Sequence, residues 1–162
     1  MICSFLSWNV RVLGKVEKLR ALCQVISSSR ANVVFMQESN MERIKPWVKN
    51  RLHKCNLGEI ATAPSTGASG GLISLWDPNC FKLEKKIVMD KMIGLIGIIV
   101  QRNLKVGLIN IYALNDIREK RDFFEQLSCV IESLAVPILV GRDFNSVLRA
   151  RRESGLLKIK HQ

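Results

Sequence analysis

The stretch from Gly71 to Ala113 constrains the fold more than any other part of the chain. "GLISLWD", "FKLEKKIVM", "MIGLIGIIV" and "KVGLINIYA" follow one another there with only short turns between them. Their apolar residues run at strand spacing, which predicts four strands in an antiparallel meander. Strands this apolar need cover, and the flanking sequence offers it.

Three segments switch to helical spacing. Val16, Leu19, Leu22, Cys23 and Ile26 share one face of a helix from about Lys15 to Ser28. A short amphipathic helix carries Met41, Ile44, Val48 and Leu52, and a longer one carries Phe123, Phe124, Leu127, Val130, Ile131 and Leu134 before Pro137 stops it. Residues 2–8, "VVFMQ" and "ILV" read as further buried strands. "TAPSTGASGG", dense in Gly, Ser, Thr and Pro, reads as a loop. The expected order is strand, helix, strand, helix, four strands, helix, strand. This is an α/β (α+β) chain whose sheets are covered by helices.

At 162 residues the chain suits one domain. A formal charge of +11, from 25 Lys and Arg against 14 Asp and Glu, favours an anionic partner. Nucleic acid comes first and an acidic membrane surface second. The five cysteines (Cys3, Cys23, Cys55, Cys80, Cys129) are scattered and form no close pair along the sequence, against a disulfide framework or a zinc site. The N-terminus lacks a signal-peptide pattern, and the longest apolar run, Met92 to Val100, is too short to span a bilayer as a helix. The expectation is a soluble, intracellular protein, nuclear or cytoplasmic and not secreted.

Polar residues recur where apolar strands give way to loop. They are Asn9 after "FLSW", Glu38 after "VVFMQ", Asn110 and Tyr112 in "LINIYA", and Asp143 with Asn145 after "ILVG". Singly, each is ordinary turn or cap chemistry. Together, carboxylates and amides offer oxygen ligands for a hard divalent ion such as Mg²⁺. Asp143 could then orient a water, while Asn145 and Tyr112 donate hydrogen bonds to a phosphate. A phosphate-binding loop ending in Lys-Ser/Thr, a zinc-spaced His-Glu pair and a Gly-x-Ser-x-Gly elbow are all missing.

In order and approximate spacing, "SWNVRVLG", "VVFMQES", "GASGGLISLWD", "INIYALND" and "PILVGRDFNSVL" resemble the endonuclease/exonuclease/phosphatase superfamily. Within it the sequence is most similar to the endonuclease domain of plant LINE-type non-LTR retroelements. The resemblance implies two packed, mostly antiparallel β-sheets flanked by helices, a deoxyribonuclease I-like four-layer sandwich over residues 1–155, with residues 156–162 a basic tail. It implies a DNA endonuclease using Mg²⁺, with Mn²⁺ as an alternative, no small-molecule cofactor, no membrane and a monomeric state. Carried over residue by residue, Glu38 matches the metal-binding glutamate and Asn9 the asparagine supporting it. Tyr112 matches the tyrosine that contacts the phosphate. Asp143 acts on the nucleophile and Asn145 on the phosphate.

The resemblance also marks departures. Family members end with further strands and a Ser-Asp-His motif, whereas this chain holds only His53, in a basic helix end, and His161. The last strands are therefore expected to be missing and the copy inactive. Val12 replaces a Gly, Leu114 a Pro, and Arg142 the Gly before the aspartate. If that Gly has positive φ, Arg142 is strained there, and its guanidinium either pairs with Asp143 or faces solvent. Arg149, Arg151 and Arg152 follow the last motif, where a phosphate backbone could lie. Trp8 is expected to pack beneath the site, with Trp47 and Trp76 in core or rim positions. Two other readings remain: a catalytically dead nucleic-acid-binding module, and a phosphatase of the same fold acting on a phosphoinositide or small phosphoester.

Overall fold

Strands that are apolar on both faces must be covered on both faces. The computed structural model, which describes residues 3–66, 69–112 and 117–142, meets this demand with four layers. In chain order the elements are β1 (Phe5–Asn9), α1 (Val16–Ser29), β2 (Val33–Gln37), α2 (Pro46–His53), β3 (Glu59–Thr66) and β4 (Ser69–Trp76). They continue as β5 (Phe81–Met89), β6 (Met92–Ile99), β7 (Leu104–Ile111), α3 (Ile117–Leu134) and β8 (Ile138–Arg142). One sheet has the order β1-β2-β4-β3 and the second β5-β6-β7-β8. The pairs β1–β2 and β7–β8 are parallel, and the other four are antiparallel.

Alternation along each strand feeds different cores. From β2, Val33 and Phe35 join Leu72, Trp76, Phe81, Ile93, Leu95 and Leu108 between the sheets. Val34 and Met36, on the opposite face, pack with Ile73 and Leu75 against Leu19, Leu22 and Ile26 of α1 and Val48 and Leu52 of α2. Beyond the second sheet, Ile109 and Ile111 meet Leu127 of α3, with Phe123 and Ile131 alongside. Each fully buried Leu, Ile or Phe contributes roughly 1.5–3 kcal/mol, so these three cores hold the layers together. Among the described residues no helix is long and apolar enough to cross a membrane.

The structure corrects four local expectations. The described residues of "TAPSTGASGG", 62–66 and 69–71, are not loop but belong to β3 and β4, with Ala63 opposite Leu72 and Ser65 opposite Gly70. The buried side of β3 is built from Ala61, Ala63 and Ser65, residues too small to signal a strand. Pro64 is tolerated because β3 is an edge strand. The four-strand meander is a three-strand one, β5-β6-β7, because β4 pairs in the other sheet between β2 and β3. Helix α2 begins only at Pro46, so Met41 and Ile44 reach the core from an irregular segment instead of a helix face. Trp8 is 36% exposed instead of buried beneath the site, whereas Trp76 is buried and Trp47 sits on the surface of α2.

Candidate metal and phosphate site

Sheet pairing brings the polar strand ends to one rim. β1 and β2 finish side by side with Asn9 opposite Gln37, and β4 starts beside them with Leu72 opposite Gln37. In the second sheet β7 and β8 finish together, Ile111 opposite Arg142. The sheets are tied just below this rim. Gln37 Nε2 donates to Asn110 Oδ1 at 2.7 Å, and Asn110 Nδ2 donates to Ser74 Oγ at 3.2 Å and to the Ile73 carbonyl at 3.1 Å. Gln37 and Asn110 are fully buried, and the next residues at the rim are Glu38 and, two on from Asn110, Tyr112. A Cβ placed on Gly70 would lie 4.0 Å from Tyr112 Cε1, so the tyrosine ring stands against the start of β4. Asn9, Glu38 and Tyr112 are thus brought together on one edge of the sandwich.

The backbone of this rim is unusual. Among the described residues eight non-glycine residues have positive φ; Arg30, Asn103 and Ala135 terminate helical segments and Asn56 lies in the turn after α2, where a left-handed residue is common. The other four are Arg11 (φ 40°), Val12 (φ 70°), Glu38 (φ 56°) and Asn40 (φ 50°), all directly after β1 or β2. Each costs about 1–2 kcal/mol and persists only where neighbours enforce it. The enforcement is visible as backbone hydrogen bonds. Val12 N–H donates to the Glu38 carbonyl (2.8 Å) and Leu13 N–H to that of Ser39 (3.1 Å). Ser39 N–H donates to Gly71 (3.1 Å) and Asn40 N–H to Gly70 (2.9 Å). Gly71 has φ 83°, and a Cβ there would run into Ser39 Oγ. Asn9 Oδ1 accepts from Arg11 N–H at 3.0 Å, a side-chain turn that starts the bend.

Among the described residues no three His, Cys, Asp or Glu side chains cluster to hold a metal. Among the described residues the rim offers one half-buried carboxylate, Glu38, with the amide oxygens of Asn9 and Asn40 at the same edge. One of these, Asn40 Oδ1, is buried and has no hydrogen-bond partner among the described residues. Asn9 Oδ1, which accepts from Arg11 N–H, is a second amide oxygen at this rim. One carboxylate with amide oxygens fits Mg²⁺, which binds through few protein ligands and retains water. Beside the rim, a cavity of about 390 Å³ is lined by Ser39, Glu42, Arg43, Ile44, Thr62 and Pro64, among others.

Several residues that matter here were not singled out by sequence. Gln37 reads only as the last residue of a strand. Ser39, Asn40, Gly70 and Gly71 carry no periodic signal, though a Gly-Gly pair opening a strand is a sign of close backbone approach. Exposed Arg11 and Lys15 on one connection, Lys18 in the first turn of α1, and Arg43 and Lys45 on the other connection add positive charge next to the rim. Lys18 Nζ donates to the Arg11 carbonyl.

Asp143, Asn145, Leu114, Arg149, Arg151, Arg152 and His161 lie outside the described residues. Arg142 closes β8 in extended conformation and not at positive φ, so the expected strain at this position is absent. Its guanidinium lies 5.7 Å from the centre of the Phe124 ring of α3, a cation–π contact, while the expected partner Asp143 lies outside the described residues. His53 is exposed in the last turn of α2.

Two four-stranded sheets packed face to face, α1 and α2 outside one and α3 outside the other, define the endonuclease/exonuclease/phosphatase, or deoxyribonuclease I-like, fold. Solved structures of that fold match the chain. The human Nocturnin catalytic domain with bound sulfate anion aligns with a TM-score of 0.66 at 14% identity, over 86% of this chain and 62% of that one. TDP2 from Caenorhabditis elegans aligns at 0.63 and 22% identity, over 93% and 50%. An AP endonuclease from Archaeoglobus fulgidus aligns at 0.60 and 16% identity, over 86% and 56%. At these identities the likeness is one of fold, and the chain spans between half and two thirds of the length of these proteins. No family model and no curated protein matches the sequence.

Proposed function

We propose that this chain carries part of a divalent-metal-dependent phosphodiester hydrolase site whose substrate is DNA, of the kind found in LINE-type retroelement endonucleases. The observation that supports it most is the strained and braced backbone that holds Glu38 beside Asn9 and across from Tyr112. Glu38 and Asn9 would hold Mg²⁺, or Mn²⁺ in its place, with Asn40 Oδ1 as a further oxygen donor. When bound, that ion neutralises phosphate charge and lowers the pKa of a coordinated water. Tyr112 donates a hydrogen bond to a phosphate oxygen, Asn145 does the same, and Asp143 orients the attacking water. Arg149, Arg151 and Arg152, with Arg11, Lys15 and Arg43 near the rim, neutralise the DNA backbone, in keeping with the charge of +11. AP endonuclease, by its name, is a fold neighbour that cuts nucleic acid.

No Asp-His pair of the family type matches within these residues, and its loss costs on the order of 10²–10³ in rate per missing donor. The 162 residues alone should therefore nick DNA very slowly. Plasmid nicking with Mg²⁺ tests this, on the chain alone and on the chain joined to a segment that supplies Ser-Asp-His. Nicking by the joined protein that vanishes with Glu38→Ala supports the reading. Nicking that is indifferent to Glu38→Ala refutes it. A second reading, a nucleic-acid-binding module without catalysis, is favoured by the lack of any three-residue acid, His or Cys cluster among the described residues. It predicts binding that weakens steeply with salt and no nicking by either protein.

A further inference from the structure

Cys23 and Cys55 are far apart in sequence, yet both thiols donate to the carbonyl oxygen of Arg51, at 3.9 and 3.8 Å. That carbonyl belongs to the last turn of α2, where unpaired C=O groups collect partners. Cys23 projects from the middle of α1 and is half-exposed; Cys55, just beyond α2, is buried. We propose that Cys23 and Cys55 form a dithiol modification site, which a small disulfide such as glutathione disulfide closes into a cross-link between α1 and the end of α2. The cross-link is independent of the hydrolase reading.

Access decides the order of events. The half-exposed Cys23 thiolate attacks glutathione disulfide, whose S–S bond breaks to release one glutathione thiolate. Cys55, after losing its proton to solvent, attacks the Cys23 sulfur of the mixed disulfide and expels the second glutathione. Two protein thiols are oxidised, and one glutathione disulfide is reduced to two glutathiones that take up the two protons. Before the first step, burial pushes the Cys55 thiol up to about 12, and the neighbouring Cys23 thiol pushes in the same direction. Forming the mixed disulfide at Cys23 removes that second contribution, so Cys55 ionises more readily once its target exists.

The other three cysteines act as internal controls. Cys3 and Cys80 are both buried, with Cys80 Sγ donating to Asp77 Oδ2 at 3.4 Å, so neither presents a sulfur to a soluble oxidant. Cys129 is exposed on α3, apart from the α1–α2 pair. The cross-link would brace the two helices that flank the segment bearing Glu38 and Asn40, and so the backbone of the rim.

The test treats the native full chain with glutathione disulfide, blocks remaining thiols with N-ethylmaleimide, and maps peptides by mass spectrometry. The expected product is a Cys23–Cys55 linked peptide lacking two hydrogens, with glutathione retained only on Cys129. Tm should rise by roughly 5–10 °C and fall back on reduction. In Cys23→Ser, Cys55 should stay unmodified and the Tm rise should vanish. A stable glutathione adduct on Cys23 beside a free Cys55 would overturn the proposal. So would a Cys55 that reacts as fast as Cys129 in Cys23→Ser.

Discussion

Glu38 reaches the rim on a backbone bent into the left-handed region and braced by two neighbouring segments, whereas Tyr112 reaches it by simple continuation of β7. Tyr112 N–H donates to the Lys91 carbonyl at 3.0 Å, and its ring leans on the inter-sheet core. The two sides meet through Gln37 and Asn110. The metal-holding role proposed for Glu38 needs fixed position and orientation, and over-determined strain supplies both. A hydrogen-bond donor on an aromatic ring needs less. The first sheet's side of the rim should therefore be brittle to substitution and the second sheet's side tolerant.

The largest effect is expected at Gly71. Gly71→Ala meets both φ 83° and Ser39 Oγ, and should cost about 2–4 kcal/mol. Gly94→Ala, in the second sheet, is the counterpart. A Cβ there lies at an ordinary 3.6 Å from Ile87 Cβ, so the cost should stay within about 1 kcal/mol. Urea denaturation of both variants reads the contrast, and equal losses would erase it.

Next in size is the clasp between the sheets. Asn110→Ala strips Gln37 Nε2 and Ser74 Oγ of a buried partner and should destabilise by roughly 1–3 kcal/mol. Gln37→Ala on its own should lose a similar amount, and the double variant should lose less than the sum. Additive losses would mean that the two residues act separately.

The smallest effect has the opposite sign. Val12 is a β-branched residue at φ 70°, 45% exposed and outside the three cores. Val12→Gly should stabilise the chain by about 1 kcal/mol in thermal melts. A loss of stability would show that the left-handed turn after β1 is not strained.

The comparison also shows what sequence could and could not reveal. Strands buried on both faces, such as "VVFMQ" and "MIGLIGIIV", announce themselves as unbroken apolar runs, and a polar residue ending such a run is equally plain. Hence Asn9, Glu38 and Tyr112 are legible as polar residues at strand ends. β3 was not, because Ala61, Ala63 and Ser65 fill a shallow space that larger residues would overfill. β4's change of sheet was hidden too, since pairing partners carry no local signature. The Gln37–Asn110 bond spans 73 residues of sequence, and the Cys23–Cys55 approach depends on how α1 lies against α2. Such long-range pairings emerge only from the packed fold. Val12 stands where the resemblance places a glycine, and the left-handed backbone at that position gives the difference its physical meaning.

The most direct test of the central claim is Mn²⁺ titration followed by amide NMR line broadening. Paramagnetic broadening should be strongest at Asn9, Glu38 and Asn40, extend to Tyr112, and spare α3. Glu38→Ala should abolish it while leaving the spectrum of the fold intact. Broadening centred elsewhere, or unchanged in Glu38→Ala, would contradict the assignment of this rim as the metal site.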